Sequence, residues 1–158
     1  MSALLLAGAV LLAAGVLLDP SVGVLTVTNP ERARAFEIAL PADGRFAVTY
    51  HHSIYTAPIT EEFVARGDQA IRLVSLRSPS AAVLEYFGVT AAGFAHPREA
   101  RFSAIEMRVA MGTEQTLRVG VREYSFLEFG AHGDRIVLEH RSTLGCRLMP
   151  RGAGTIRQ

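Results

Sequence analysis

Lysine is absent from the sequence, and all sixteen basic residues are arginine. Fifteen acidic residues balance them, which leaves a formal net charge of +1 at pH 7. A protein that binds nucleic acid through its phosphates needs a clear basic excess, so no nucleic-acid partner is indicated. We attribute the choice of arginine over lysine to the base composition of the genome.

Cysteine is nearly absent, because Cys146 is the single one in the chain. A lone cysteine cannot form an intrachain disulfide, and it excludes zinc sites built on paired thiolates. No local motif supports Cys146 as a nucleophile. We therefore predict that it is a small packed residue near the C-terminus.

Charged side chains are also absent from residues 2–18, where glycine is the single type of helix breaker. At about 1.5 Å per residue this run would form roughly 26 Å of helix, which is at the short end of a membrane span. Residues 1–18 are therefore predicted to be an N-terminal apolar helix that serves as a membrane anchor or a signal segment. The main domain would then lie in the periplasm or extracytoplasmic space, anchored to the inner membrane or secreted.

The rest of the chain is organised as short alternating runs that turn signals separate. Its length predicts one domain, and such runs at regular spacing predict an all-β fold, either a single antiparallel sandwich or a partly open barrel. We assign residues 19–149 to this domain and residues 150–158 to a flexible tail. A short helix is predicted within residues 78–88. The predicted strands are 22–28, 34–40, 45–52, 59–65, 70–78, 104–111, 116–124 and 135–141.

The run YHHSIYTAPITEEF at residues 50–63 brings together two adjacent histidines, a serine and two adjacent acidic residues. Matching of apolar residues across the predicted hairpin favours the register in which Tyr50 lies opposite Phe63. The same register places His52 opposite Glu61 at the end of an apolar stripe, and it places His51 on the wetter face. We therefore expect a partly buried His52–Glu61 pair in which the carboxylate favours the charged imidazole.

Strand geometry argues against the simplest catalytic and metal readings of this run. Consecutive strand residues point to opposite faces, so His52 cannot activate Ser53, and His51 and His52 cannot bind one ion together. No Gly-x-Ser-x-Gly elbow surrounds Ser53. A third ligand beside His52 and Glu61 would have to come from a distant histidine without ligand spacing. The pattern thus indicates no catalytic residue, no metal ligand and no cofactor.

This run resembles the most recognisable segment of a bacterial family catalogued as domain of unknown function 1850, which reads approximately Tyr-x-His-Ser-Val-x-x-Thr-Pro-Val-x-Glu-x-Phe. Ala57 stands here in place of the threonine before proline, next to Thr56. A second segment, FGVTAAGF at residues 87–94, is similar to a Gly-Ala-Gly-like element of the family through Ala92 and Gly93. The positions in step with the first motif are Tyr50, His52, Ser53, Pro58, Glu61 and Phe63, with Ile54 and Ile59 as conservative replacements.

The resemblance implies a small extracytoplasmic β-domain without catalytic activity. Members of that family lie next to genes for TRAP transporters of the TAXI branch and are thought to serve them. We therefore expect an accessory domain that binds a ligand or a protein partner in solute transport, with the membrane contacted through residues 1–18. The residues expected to bind are Tyr50, His52, Ser53, Thr56 and Glu61. Two alternatives stay open: a metal-assisted or acid–base enzyme that uses His52 and Glu61, and a purely structural or assembly protein.

Overall fold

The computed structural model describes residues 23–67, 70–88 and 100–142. The predicted N-terminal helix, the Ala92–Gly93 element, Cys146 and the tail all lie outside these residues. Within them the fold is almost entirely antiparallel β-structure, which confirms the predicted class. The strands are β1 (Gly23–Asn29), β2 (Arg34–Ala39), β3 (Arg45–His51), β4 (Pro58–Ala65), β5 (Ile71–Arg77), β6 (Arg101–Phe102), β7 (Ala104–Arg108), β8 (Thr116–Val119), β9 (Arg122–Ser125) and β10 (Arg135–Ser142).

The strands form two sheets. One sheet has four strands in the order β2-β1-β10-β7, and the other has six in the order β6-β5-β4-β3-β8-β9. β6 and β7 are separated by Ser103 alone, so one short stretch of chain passes from the six-stranded sheet to the four-stranded one. Strands that switch sheets in this way make the corners of sandwiches and open barrels.

Both sheets contribute to one apolar core, because the side chains on one face of each sheet point toward it. Leu25 and Val27 of β1 and Leu138 of β10 are fully buried and pack in the same cluster as Val48 of β3 and Leu117 of β8. Phe46 stacks on Phe63 with ring centroids 5.2 Å apart. The remaining buried members include Phe36, Ile38, Ala65, Ile71, Val119, Phe126, Phe129 and Ile136.

A second, smaller core cluster lies at one end of the six-stranded sheet. It joins Ile59 of β4 and Leu76 of β5 to Val83 of the helix α1 (Ala81–Tyr86). The Ser80 side chain caps this helix by accepting the backbone N–H of Val83 at 3.4 Å. The helix predicted within residues 78–88 is therefore present, and it covers the end of the sheet that carries the 50–63 run.

Two short 3₁₀ turns complete the described part of the chain, at Pro30–Arg32 and Phe126–Glu128. Asn29 precedes the first of these turns, and its fully buried side chain accepts the backbone N–H of Arg32 at 3.1 Å. No helix of the described residues is both long enough and apolar enough to cross a membrane.

One predicted strand is wrong. Residues 116–124 form two strands, β8 and β9, rather than one, and they pair with each other as a hairpin. Gly120 between them has a φ of 60°, which is the left-handed conformation that glycine adopts without a steric cost. The alternation of TLRVGVREY continues through the turn, so the hydrophobic pattern alone does not reveal it.

Candidate functional site

The 50–63 run forms the β3–β4 hairpin, but its register differs from the predicted one. Tyr50 lies opposite Ile59 and not opposite Phe63, and Phe63 lies opposite Phe46 instead. Glu61 lies opposite Val48, so the predicted His52–Glu61 pair is wrong. The displacement is four positions, an even number, and therefore each side chain within β3 and β4 keeps its predicted face.

The turn explains why the predicted register fails. Residues 53–56 form a four-residue loop, because the His52 N–H donates to the Ala57 carbonyl at 2.9 Å and the Thr56 N–H donates to the His52 carbonyl at 2.8 Å. Thr56 closes the loop with a φ of 49°, in the left-handed region. The predicted register needed Ile54 inside the ladder, whereas Ile54 is 66% exposed at the tip.

His52 is buried at the base of this loop, where its imidazole holds the loop backbone. Its Nδ1 atom accepts the backbone N–H of Ile54 at 3.2 Å and lies 3.4 Å from the N–H of Tyr55. An atom that accepts these N–H groups carries no proton, so the proton of the neutral ring is on Nε2. In place of the predicted ion pair with Glu61, His52 has a neutral imidazole that caps the loop.

Three aromatic rings surround the imidazole of His52. Tyr55 from the loop lies 5.1 Å away between centroids, and Tyr86 at the end of α1 lies 4.7 Å away in an edge-on arrangement. Phe87, directly after α1, lies at 5.9 Å. The edge-on contacts of Tyr86 and Phe87 are favoured because the electron-poor edge of one ring meets the face of another.

The outward side of this cluster is apolar and exposed. We define the hairpin-tip patch as Ile54, Tyr55, Tyr86 and Phe87, whose residues are 66%, 41%, 59% and 40% exposed. Tyr86 contacts Tyr55 and Phe87 with centroids 6.3 and 5.4 Å apart, so the rings form one surface. None of these four residues is among those predicted to bind from the sequence. The segment LEYFG at residues 84–88 places two aromatic residues at the end of a helix. This pattern could have indicated from the sequence that Tyr86 and Phe87 are exposed together.

Glu61 and Tyr50 form a separate polar pair on the core side of the hairpin. The tyrosine hydroxyl lies beside the carboxyl and acts on the pKa of that group as a hydrogen-bond donor. Burial raises the pKa of the Glu61 carboxyl, and the hydrogen bond from Tyr50 partly opposes this shift. Burial first, and the charge of Glu61 second, raises the pKa of Tyr50. The site therefore holds a carboxyl whose ionisation is disfavoured by its surroundings.

The other face of the hairpin is polar and wet, as predicted for His51, which is exposed. Thr49 and Thr60 share a hydrogen bond of 3.1 Å between their hydroxyls. Glu62 pairs with Arg77 and lies 3.8 Å from Arg118 on the other side. These contacts cross four strands and hold this face together, and Glu62 and Arg118 also line a cavity of about 200 Å³.

The predicted binding residues thus fall into three places. His52 lies beneath the hairpin-tip patch, Ser53 and Thr56 are exposed in the same loop, and Tyr50 and Glu61 form their own pair toward the core. Across the described ranges, no group of three or more histidine, cysteine, aspartate or glutamate side chains is arranged to hold a metal ion. No protein-family model, curated protein or solved structure matches this chain.

Proposed function

We propose that this protein is an extracytoplasmic accessory β-domain in TRAP-type solute transport of the TAXI branch, and that the hairpin-tip patch binds its protein partner. The observation that carries the proposal is the cluster of exposed rings held over the buried imidazole of His52. Single exposed apolar residues are ordinary on protein surfaces, but a contiguous group marks an interaction site.

The composition of the hairpin-tip patch fits a protein interface. Aromatic residues are enriched at the centres of interfaces, where a few of them supply most of the binding free energy. The patch is also preorganised, because the His52 cap fixes the backbone at Ile54 and Tyr55 before any partner arrives. A fixed loop loses less conformational entropy on binding than a free one.

The position of the hairpin-tip patch fits a domain that is tethered through residues 1–18. The described chain begins at Gly23, whose carbonyl accepts the N–H of Leu40 at 2.9 Å. A turn then leads directly into β3, whose seven residues span about 23 Å. The patch lies beyond the far end of β3 and thus projects away from the point where a tether would join.

The transport context rests on the resemblance of residues 50–63 to the family named above. His52 occupies the motif's histidine position, and here it caps the loop that presents the hairpin-tip patch. A motif that shapes this loop would therefore serve partner binding rather than catalysis. Glu61 occupies the motif's acidic position and bonds to Tyr50, another motif residue.

Co-purification tests the proposal. The intact chain, produced in its own host with an affinity tag, is expected to retain the TRAP permease or the solute-binding protein encoded in the same gene neighbourhood. Replacing Ile54 and Tyr86 together by serine should remove this retention, because both side chains lie on the surface of the hairpin-tip patch.

The control is Val121→Ser, which changes a fully exposed apolar residue at the β8–β9 turn. It should leave retention intact. Equal retention by the double variant and the wild-type chain would contradict the assignment of the patch. Recovery of the intact chain from the cytosolic fraction would contradict the extracytoplasmic location.

A further inference from the structure

A row of three oxygen-bearing side chains crosses the outer face of the four-stranded sheet. Thr26 on β1 lies opposite Glu37 on β2 and also opposite Glu139 on β10. The neighbours of Thr26 in β1 face the core, so alternation places Thr26 and both glutamates on the other face. One hydroxyl therefore lies between two carboxyl-bearing positions.

The buried hydroxyl of Thr26 makes no hydrogen bond to any residue that the structure describes. Only 6% of the residue is exposed, and within the described ranges its buried Oγ1 atom has no hydrogen-bond partner. A buried hydroxyl loses its bonds to water, and this loss is unfavourable when nothing replaces them. We infer from the missing hydrogen bond that this oxygen binds a group on the outer face of the sheet.

The two carboxylates have no direct ion-pair partner among the described residues, although Arg101 and Arg141 line a cavity with Glu139. In the part of the chain that the structure describes, neither Glu37 nor Glu139 forms an ion pair or a hydrogen bond. Arg141 lies two residues beyond Glu139 on the same strand, and no ion pair joins them. Two like charges that flank one buried oxygen attract a cation.

The spacing of the row selects the kind of cation. Neighbouring strands lie about 4.8 Å apart, so β2 and β10, on either side of β1, are about 10 Å apart. Two glutamate side chains that lean toward each other can close this gap around an ion with oxygen distances of about 2.3–2.6 Å. Mg²⁺ requires a smaller and more rigid octahedron, whereas Ca²⁺ accepts flexible carboxylates and water.

We propose that Glu37, Thr26 and Glu139 bind Ca²⁺ on the outer face of the four-stranded sheet. The two carboxylates supply the charge, the Thr26 hydroxyl supplies a neutral oxygen, and water fills the remaining positions. A site with two exposed carboxylates falls in the weak class of calcium sites, with a Kd of about 10⁻⁴ to 10⁻³ M. The bound ion joins β2 to β10 across β1 and so ties three strands together.

Thermal unfolding of the full chain in CaCl₂ tests the proposal. At a Ca²⁺ concentration ten times the Kd, the Tm should rise by about 3 °C over the value in NaCl of equal ionic strength. Isothermal titration calorimetry should give one site per chain. MgCl₂ should raise the Tm less.

Single substitutions then identify the ligands. Glu37→Gln and Glu139→Gln should each abolish the calcium-dependent shift without lowering the Tm in NaCl, because each relieves repulsion between like charges. Thr26→Val keeps the shape of the residue and removes the partnerless hydroxyl, so it should raise the Tm in NaCl and weaken the shift. Glu123→Gln, which changes an exposed carboxylate on the other sheet, should leave the shift unchanged.

Three results would overturn the proposal. The first is an equal Tm of the wild-type chain in CaCl₂ and NaCl. The second is a calcium shift that survives in both glutamine variants. The third is an equal shift from arginine hydrochloride at the same ionic strength, which would show attraction of any cationic group rather than a calcium site.

Discussion

The Nδ1 atom of His52 accepts the backbone N–H of Ile54 at 3.2 Å, so a buried imidazole holds the loop that presents the hairpin-tip patch. This contact links a motif residue that lies beneath the surface to an exposed residue that forms the surface. It accounts for a histidine at this position without assigning proton transfer to it.

Substitutions of His52 separate two contributions to stability, the hydrogen bonds that cap the loop and the packing of the buried ring. His52→Ala removes a buried ring and its acceptor, and we expect it to lower the free energy of unfolding by about 3 kcal/mol. His52→Asn places an amide oxygen where Nδ1 lies, so it should retain the cap and cost about 1 kcal/mol less than alanine. Urea unfolding at pH 7 measures both. Identical losses in the two variants would show that the cap contributes nothing.

The Tyr50–Glu61 pair predicts a specific dependence of stability on pH. Burial raises the pKa of the Glu61 carboxyl in the folded state, so the folded protein binds a proton more tightly there than the unfolded chain does. This contribution is fully present below the unfolded pKa and is lost as pH rises through the folded pKa. Glu61→Gln should remove this decline and leave the protein at least as stable at pH 7.

Tyr50→Phe tests the same pair from the donor side. Loss of the hydroxyl should lower the free energy of unfolding by about 1 kcal/mol at pH 7 and raise the pKa of Glu61 further, because the bond favours the ionised carboxylate. Urea unfolding between pH 4 and pH 8 measures both effects. The control is Glu123→Gln, which changes an exposed carboxylate and should keep the wild-type pH profile.

For the Asp134 carboxyl we expect the opposite effect, in which the free energy of unfolding falls as the pH is lowered. The Arg32 guanidinium, with help from Asn29 and the N–H of Ala131, lowers the pKa of the Asp134 carboxyl to about 2. The resulting stability is present above the unfolded pKa of about 3.9 and is lost as pH falls from there toward 2. Asp134→Asn should flatten this acid limb in urea unfolding between pH 5 and pH 2. An unchanged acid limb would show that the cluster does not contribute to stability.

Thr56 is a β-branched residue with a φ of 49°, a conformation that costs a side-chain-bearing residue about 1–2 kcal/mol. Asparagine tolerates this conformation better, so Thr56→Asn should raise the free energy of unfolding by about 1 kcal/mol. Ser53→Asn is the matched control, because Ser53 lies in the same loop without a positive φ. If Thr56 also contacts the partner, the stabilised variant should bind it more weakly in the co-purification assay.

The register of the β3–β4 hairpin and the position of α1 both depend on contacts between residues that are far apart in the chain. The Phe46–Phe63 stack and the Tyr50–Ile59 pairing satisfy apolar matching as well as the predicted register does, so matching alone could not choose between them. Tyr86 and Phe87 reach His52 because Val83 anchors α1 on Ile59 and Leu76. Because tertiary packing sets the position of α1, the pattern of residues 50–63 contains no information about which helix residues reach His52.

The sequence by itself determined the all-β class, the face on which each strand residue of the 50–63 run lies, and the wet surroundings of His51. Alternation of apolar and polar residues carries this information, and an even displacement of the register preserves it. Only the tertiary structure decided that Glu61 bonds to Tyr50 and that His52 caps a loop beneath exposed rings. Those contacts follow from the turn at residues 53–56 and from the docking of α1, which depend on backbone geometry and long-range packing rather than on local pattern.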